Sequence, residues 1–489
     1  MITFNGRIVQ FGFGAVGKSF FEKLPKEIKF DEYKYYVITK IDDEFQAFIN
    51  LGGVASNFIV ANIDRDNWKD TFSQYLQEGD LLVDFADSVG TRDFVEWCAE
   101  NNIMYLNTGE TDWPDHWYSI FDENDKKIQL RESFKAQPDK NKYPIVLQHG
   151  NNPGLVSHFV KAAIDYVLRT QFKHNRKLKK LAKDGKYNEI AQEIGLKMVH
   201  VNDIDLQKVK GEFNKDELVS PWCVDSFWFE MLSESTFDVG THENMNYPEL
   251  ISRYNPEKGY CELKAIAADH TYRTYYPDGA FNGHMVPHEE TITIAKSLEV
   301  QHAGQTVYRP SVMFLYSPCE YARTYLEQAK VNEYPNPDPE KPMDCENVNG
   351  IWITRGRIYP NNWEILYPEK IESGTEYVGV LLLGEKFNPV WVGNRVEIKF
   401  LAKDKKSSYW QTPTITPVAM SALAGVCWML KNQNQGGIYF PDEIPEHNFI
   451  IKLAEKYISK TIFKTFPKNE IENSLKIDLS NPQTKELLT

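Results

Sequence analysis

The feature that most constrains this chain is a glycine turn near its start, Arg7-Ile8-Val9-Gln10-Phe11-Gly12-Phe13-Gly14-Ala15-Val16-Gly17. Ile8 to Phe11 have the apolar character of a buried strand, and a helical pattern begins at about Val16. Three glycines in this spacing between a strand and a helix each meet a separate steric need. One makes the tight turn, one lets a pyrophosphate approach the backbone, and one lets the helix pack closely on the strand. Gly12, Gly14 and Gly17, with Ala15 and Val16 between them, are therefore expected to hold the phosphates of a dinucleotide at a helix N-terminus. This is the opening of a Rossmann unit.

The rest of the first third alternates strand and helix signals. Strands are expected at 7–12, 34–39, 57–63, 80–85, 103–107 and 144–148, with helices from Val16, near Asp43 to Leu51, near Trp68 to Leu76, and from Thr91 to Asn101. That order gives a doubly wound parallel sheet, whose ligand crevice lies at the carboxyl ends of its strands. The second strand runs into Thr39-Lys40-Ile41-Asp42-Asp43. Asp42 is the candidate for the ribose hydroxyls, while Lys40 leaves a 2′-phosphate open. The fourth strand ends in Asp84-Phe85-Ala86-Asp87-Ser88, where Asp87 either faces the cofactor or caps the helix from Thr91. The fifth ends in Asn107-Thr108-Gly109-Glu110; Glu110 has no helix to cap and is the stronger site acid.

A chain of 489 residues exceeds what one core holds, since single cores stop growing near roughly 250 to 300 residues. After Asn152-Pro153-Gly154 a helix is expected, and strand signals then dominate to about residue 410, in runs at 262–269, 310–316, 351–358, 376–384 and 389–400. Residues 333–349 look like an exposed loop. A strong helix returns over Thr414 to Lys431, with Pro417 tolerable in its first turn. The expected organisation is a nucleotide domain over 1–153, a substrate and dimerisation domain over 154–410, and C-terminal helices over 411–489 that return to the first domain and end in a polar tail. The fold class is α/β, a Rossmann doubly wound parallel sheet with a second α+β domain built on an open sheet.

Composition narrows the function. A net charge of -14 with no dense Lys/Arg stripe argues against nucleic acid as a partner. The six cysteines are scattered with no Cys-x-x-Cys pair, which argues against both a zinc site and a disulfide framework. They read as reduced thiols, so a cytoplasmic protein is expected, and no apolar stretch reaches the roughly 20 residues that span a bilayer. The chain enters a strand too early for a signal peptide.

Three segments of the second domain gather acids, aromatics and histidines: Trp222 to Glu230, Gly240-Thr241-His242-Glu243, and His284 to Glu290. An indole face with nearby carboxylates is how proteins hold ammonium groups, so Trp222 and Glu230 either seat an amine or belong to the core. His284 and His288 stand four apart, but Pro287 and the strand context spoil a helical zinc pair, and no metal is expected.

Taken together and in order, these segments resemble bacterial-type homospermidine synthases, within the saccharopine dehydrogenase-like superfamily. The likeness covers almost the whole chain. It rests on Gly12 to Gly17, Thr108 to Pro114, Gly150-Asn151-Asn152-Pro153-Gly154, Trp222 to Glu230, Gly240 to Glu243, Gly379 to Gly384, Thr416 to Trp428, and Gly437 to Glu443. The resemblance implies an enzyme that joins two putrescines, or putrescine and spermidine, and releases ammonia or diaminopropane, with NAD kept as a recycled prosthetic group. It implies a homodimer, with Thr108 and Asn151 beside the cofactor and Trp222 in cation–π contact with the amine. It points to Glu110, Glu230 and Glu376 as acids around the diamine, and to Asn152 and His288 in the pocket. Asp203 completes the set, where the family prefers a glutamate. Glu110 and His288 are the expected proton carriers, His288 because its ordinary pKa lies near neutrality. The rivals are a saccharopine- or carboxyspermidine-type dehydrogenase, whose carboxylate substrates need Arg or Lys donors, and a non-catalytic nucleotide sensor.

Overall fold

The computed structural model describes all residues except 87–88, 110, 114–125, 127, 130–131, 134–140, 212–216, 331–344, 349–350, 355–356, 359–361, 367–369, 402–410, 472–474 and 478–489. The chain divides into two units, Met1–Phe159 with Ile415–Ile458, and Val160–Thr414 with Ser459–Thr489.

The first unit is built on a seven-stranded sheet. Its order is Gly437–Tyr439, Pro144–Val146, Met104–Asn107, Leu81–Asp84, Ile8–Phe11, Tyr35–Thr39, Phe58–Val60, and every pairing is parallel. The chain therefore starts in the middle, builds outward one way, then crosses back and builds the other. The central strands are buried on both faces, which is why they read as unbroken apolar runs. Val9, Leu82 and Tyr105 from the sheet pack with Trp68, Phe72 and Phe94 from the crossover helices. The seventh strand, Gly437–Tyr439, carries too short a run to announce itself. It follows the buried helix Ile415–Lys431, whose small residues Ala419, Ala422, Ala424 and Gly425 allow close packing.

The second unit holds a ten-stranded mixed sheet. Its main path runs Ile251–Tyr254, Tyr260–Ile266, Glu234–Asp238, Ser311–Ser317, Leu196–Asp205, Thr375–Gly384, Val390–Glu397, Ile462–Thr465. The hairpin of Thr271–Tyr276 and Gly279–Met285 joins through Ser311–Ser317. Alternation along the three central strands separates two faces. On one face Ile204, Met313, Leu315, Tyr377, Leu381 and Trp391 form an apolar core. The registers Val201↔Phe314, Asp203↔Tyr316, Asp203↔Val378 and Asp205↔Glu376 place Phe314, Tyr316, Asp203, Asp205 and Glu376 on the other.

Three expectations are corrected. The unit boundary falls inside the helix Leu155–Gln171, because Leu155, Val156 and Phe159 are core residues of its start. The C-terminal segment does not stay with the first unit: Ile462–Thr465 adds a strand beside Val390–Glu397. The loop expected at 333–349 lies outside the described residues up to 344, and Cys345–Val348 is a strand. Among the described residues no helix is long and apolar enough to cross a membrane. Cys98, Cys223, Cys261, Cys319 and Cys427 are free thiols.

Candidate active site

Each unit carries its own part of the chemistry. In the first, the glycine turn is shaped from below by Gln10, whose Nε2 donates to the Gly12 carbonyl at 2.8 Å while the Tyr35 hydroxyl donates to its Oε1. Gly12 has φ +85°, and a Cβ there would lie 2.9 Å from the Phe85 carbonyl carbon. A Cβ on Gly17 would lie 2.6 Å from the Gly12 oxygen. Gly14 differs: its Cβ would point into open space, and it is the N-cap of the helix Ala15–Glu27 with no side-chain cap. The first-turn N–H groups are left to a ligand, so the residues fit a dinucleotide pyrophosphate.

Asp42 lies exposed just past the second strand, with exposed Lys40 beside it. Glu44, which the sequence did not single out, pairs with buried Lys18 on the first turn of the glycine-turn helix (2.5 Å). Asp87 and Glu110 lie outside the described residues. Asp84 is used structurally, accepting from the Tyr105 hydroxyl at 2.8 Å and from the Ala86 N–H at 2.9 Å.

Asn107 ties the fifth strand to the sixth: its Oδ1 accepts from the Gln148 N–H at 2.7 Å, and its Nδ2 donates to the Gly109 carbonyl at 2.7 Å. The loop that follows is tightly made. The Asn152–Pro153 bond is cis, and the N–H groups of Leu155 and Val156 return to the carbonyls of Gly150 and Asn151. A Cβ on Gly150 would lie 2.8 Å from the Thr108 carbonyl, so Thr108 is held against Gly150-Asn151-Asn152. Asn151 is 3% exposed and its Oδ1 has no hydrogen-bond partner among the described residues. Below the loop is a group that sequence reasoning missed. His149 Nε2 lies 3.1 Å from His158 Nε2, and His149 Nδ1 lies 3.2 Å from Ser421 Oγ. Both rings are fully buried, and burial pulls the His149 pKa down to about 4, so that imidazole is neutral.

In the second unit Trp222 sits between the strand Glu217–Ser220 and the helix Val224–Leu232. It is half-buried, not core. Its Nε1–H donates to the Tyr316 hydroxyl at 3.2 Å, and Phe227 meets it edge-on at 6.3 Å. Glu230, on the same helix as Phe227, brings Oε1 within 3.6 Å of His288 Nε2. His288 Nδ1 lies 2.8 Å from Glu290 Oε2 and 3.9 Å from Glu289 Oε2, and its ring stacks on Phe314 at 3.9 Å.

Three carboxylates thus surround one imidazole. Burial opposes the charge on His288, but the charges of Glu290 and Glu230 raise its pKa well above the ordinary value. The ring is an imidazolium at neutral pH, which corrects the expectation of a histidine titrating there. It can donate a proton but not accept one. Burial raises the Glu230 pKa, the His288 charge opposes this, and Glu289 and Glu290 add to it. The nearest side-chain N and O atoms of His288, Glu289 and Glu290 lie within 4.8 Å of one another, and with the ring protonated its own charge occupies the place a bound cation would take.

A second acid group occupies the sheet face carrying Tyr316. Asp203, Asp205 and Glu376 are all buried. Burial, then the charges of Asp203 and Asp205, raise the Glu376 pKa well above the carboxylate range, and Glu376 shares a hydrogen bond with Asp203. Burial lifts Asp205 to about 6 against hydrogen bonds from the Gln207 main chain and side chain. Asp205, Tyr316 and Phe314 were not picked out by sequence; their signal is alternation on a strand that could be read only once the register was known, whereas Glu290 stands in the first turn of the helix Glu289–Ser297. Two other histidines are structural. His242 Nε2 lies 2.9 Å from the Leu475 carbonyl while Glu243 accepts from Ser311 and from the Ile477 N–H, so Gly-Thr-His-Glu fastens the C-terminal segment. His284 Nδ1 is 3.0 Å from the Ala267 carbonyl.

The chain is similar to known proteins over most of its length. The model of the saccharopine dehydrogenase NADP binding domain matches residues 8–142. A homospermidine synthase of Blastochloris viridis is 27% identical over 448 residues, covering 88% of this chain and 86% of that one. The homospermidine synthase of Mesorhizobium japonicum is 24% identical over 441 residues, covering 88% and 85%. The crystal structure of homospermidine synthase from Legionella pneumophila, in complex with NAD, superposes with a TM-score of 0.80 at 23% identity, covering 99% of this chain and 97% of that one. Residues 8–142 thus match a saccharopine dehydrogenase-type nucleotide-binding domain, and over most of its length the chain is similar to homospermidine synthases and shares the fold of one.

Proposed function

We propose that this chain makes homospermidine from two putrescines, using Trp222, Glu230, His288, Asp203 and Glu376 of the second unit around the amines. One putrescine loses a hydride from the carbon beside a nitrogen, giving an iminium. A second putrescine attacks that carbon, ammonia leaves, and the resulting imine regains the hydride as homospermidine. The glycine turn of Gly12, Gly14 and Gly17, with Thr108 and Asn151, would hold NAD, which would supply the acceptor for that hydride and its source for the return.

The observation that carries this reading is two sets of buried or half-buried carboxylates, Glu230, Glu289 and Glu290 around His288, and Asp203, Asp205 and Glu376 on the sheet face, where Arg323 acts on Asp205. Buried carboxylates call for a cation, and a diamine supplies one at each end. A dehydrogenase of carboxylate-bearing substrates would need Arg or Lys in the same places.

The reacting nitrogen must be neutral before its carbon can give up hydride. His288 cannot take that proton, because both ring nitrogens already hold one. Glu230, with its raised pKa, takes it through Oε1. The Trp222 face stabilises the iminium as its charge develops. Departing ammonia needs a proton back, and the Glu230–His288 pair holds one on His288 Nε2. Asp203 and Glu376 hold the remote ammonium. The enzyme works as a homodimer in the cytoplasm, which light scattering on the purified chain would test.

The deciding experiment is incubation with putrescine and catalytic NAD, followed by mass spectrometry. Homospermidine and ammonia in equal amounts without net NADH support the reading. NADH formed in proportion to putrescine consumed would refute it. Spermidine in place of one putrescine should give homospermidine and diaminopropane.

A further inference from the structure

The strand Ser311–Ser317 is buried at every position. Its alternation sends Phe314 and Tyr316 to the acid-bearing face. A buried tyrosine must find a partner for its hydroxyl. Tyr316, 3% exposed, meets this by accepting from Trp222 Nε1 at 3.2 Å. Its hydroxyl also lies in the field of Asp203 and Asp205, which with burial raises its pKa and keeps it neutral.

Trp222 itself stands on a loop, with its backbone N–H reaching Ser220 Oγ at 3.4 Å and its indole half exposed. The bond to Tyr316 ties the polar edge of that indole to the centre of a ten-stranded sheet. Two residues earlier on the same strand, Phe314 lies flat beneath His288. One rigid strand therefore supports both the indole and the imidazole, from positions about 6.6 Å apart along its length.

We propose that Tyr316 is a positioning residue that fixes the Trp222 indole, so that the strand Ser311–Ser317 sets the spacing from indole to imidazole that the enzyme reads as diamine length. This rests on the reading of Trp222 as the cation–π wall. Neither the resemblance nor the motifs point to Tyr316.

Tyr316→Phe tests it, since it keeps the ring and its edge contact with Phe227 while removing the hydroxyl. One neutral hydrogen bond is lost, so kcat/KM for putrescine should fall about three- to tenfold. NAD affinity should not change. The preference for putrescine over the five-carbon diamine should shrink, because a freed indole no longer registers one methylene. Trp222→Phe, which removes the N–H donor, should cost less in the Tyr316→Phe background than in the wild type. A purely structural tyrosine would lower the melting temperature while leaving the diamine preference and additivity untouched, and that result overturns the proposal. If Trp222→Phe lowers turnover but Tyr316→Phe does not, positioning fails and the cation–π reading survives. If Trp222→Phe leaves turnover unchanged, both fall.

Discussion

Acid should destabilise the nucleotide-binding unit through His149, and replacing His149 with Gln should remove that part of the sensitivity. The ring is buried between His158 and Ser421, and burial pulls its pKa from 6.5 to about 4. Its folded pKa is depressed, so between pH 6.5 and about 4 the unfolded chain binds a proton that the folded chain does not. Stability from this group is complete above pH 6.5 and is lost as pH falls toward 4. The gap corresponds to about 3 kcal/mol, a substantial fraction of a domain's stability. Gln keeps hydrogen-bonding capacity at the site but does not titrate. Urea titrations at pH 7, 6 and 5, followed by near-ultraviolet circular dichroism, should show the wild type losing more stability per pH unit than His149→Gln, by about one proton's worth, 1.4 kcal/mol. His200 and His284, pulled down to about 3 and about 4 by burial in the second unit, keep an acid limb in both proteins. Equal pH slopes for the two proteins would refute a neutral, buried His149.

The glycine turn gives a contrast: Gly14→Ala should fold normally yet weaken NAD binding, whereas Gly17→Ala should lose roughly 1 to 3 kcal/mol of stability because its Cβ meets the Gly12 carbonyl at 2.6 Å. Fluorescence titration with NAD and thermal melts separate the two. Glu290→Gln takes one carboxylate from His288 Nδ1, so the imidazolium pKa should drop and the kcat–pH profile should lose activity on its alkaline side at a lower pH than in the wild type. Trp222→Ala should lower kcat/KM by about tenfold or more with NAD still bound, as expected for a desolvated cation–π contact of roughly 2 kcal/mol. Putrescine binding should release protons, because an ammonium beside Asp203 and Glu376 lowers a Glu376 pKa that burial and its neighbours hold high. Calorimetry in buffers of different ionisation enthalpy reads that number directly.

How much of this was legible depended on where the residues lie. The parallel sheet of the first unit could be read because its strands are short, apolar on both faces and separated by helices of ordinary period; only Gly437–Tyr439, distant in sequence and brief, escaped. The central strand of the second sheet, Leu196–Asp205, did not announce itself as a strand. Its sequence Leu-Lys-Met-Val-His-Val-Asn-Asp-Ile-Asp carries polar residues on both faces, yet nearly all of it is buried. His200 Nδ1 and Asn202 Nδ2 meet Thr274 Oγ1 of the hairpin, and Asn202 also accepts from Trp391 Nε1 at 3.2 Å. Partners that distant in sequence leave no local trace, so a buried polar strand looks like a loop.

The site was legible to the extent that chemistry sits in short segments. Trp222 stands directly ahead of the cap of the helix that carries Glu230, and His288 precedes its own two glutamates, so residue type and order were enough to point at them. What spacing could not supply is the charge state. A histidine read alone is a neutral base near pH 7, but Glu230 arrives from a helix nearly sixty residues upstream and, with Glu290, fixes the proton on it. The same holds for Asp205 and Glu376, on strands far apart in sequence but opposite one another in register, with Asp203 two residues along on the same face. Acids brought together that way raise one another's pKa, so the number of charges offered to a diamine is set by sheet register. Substrate charge is thus read by the fold, while the motifs name only the residues that do the reading.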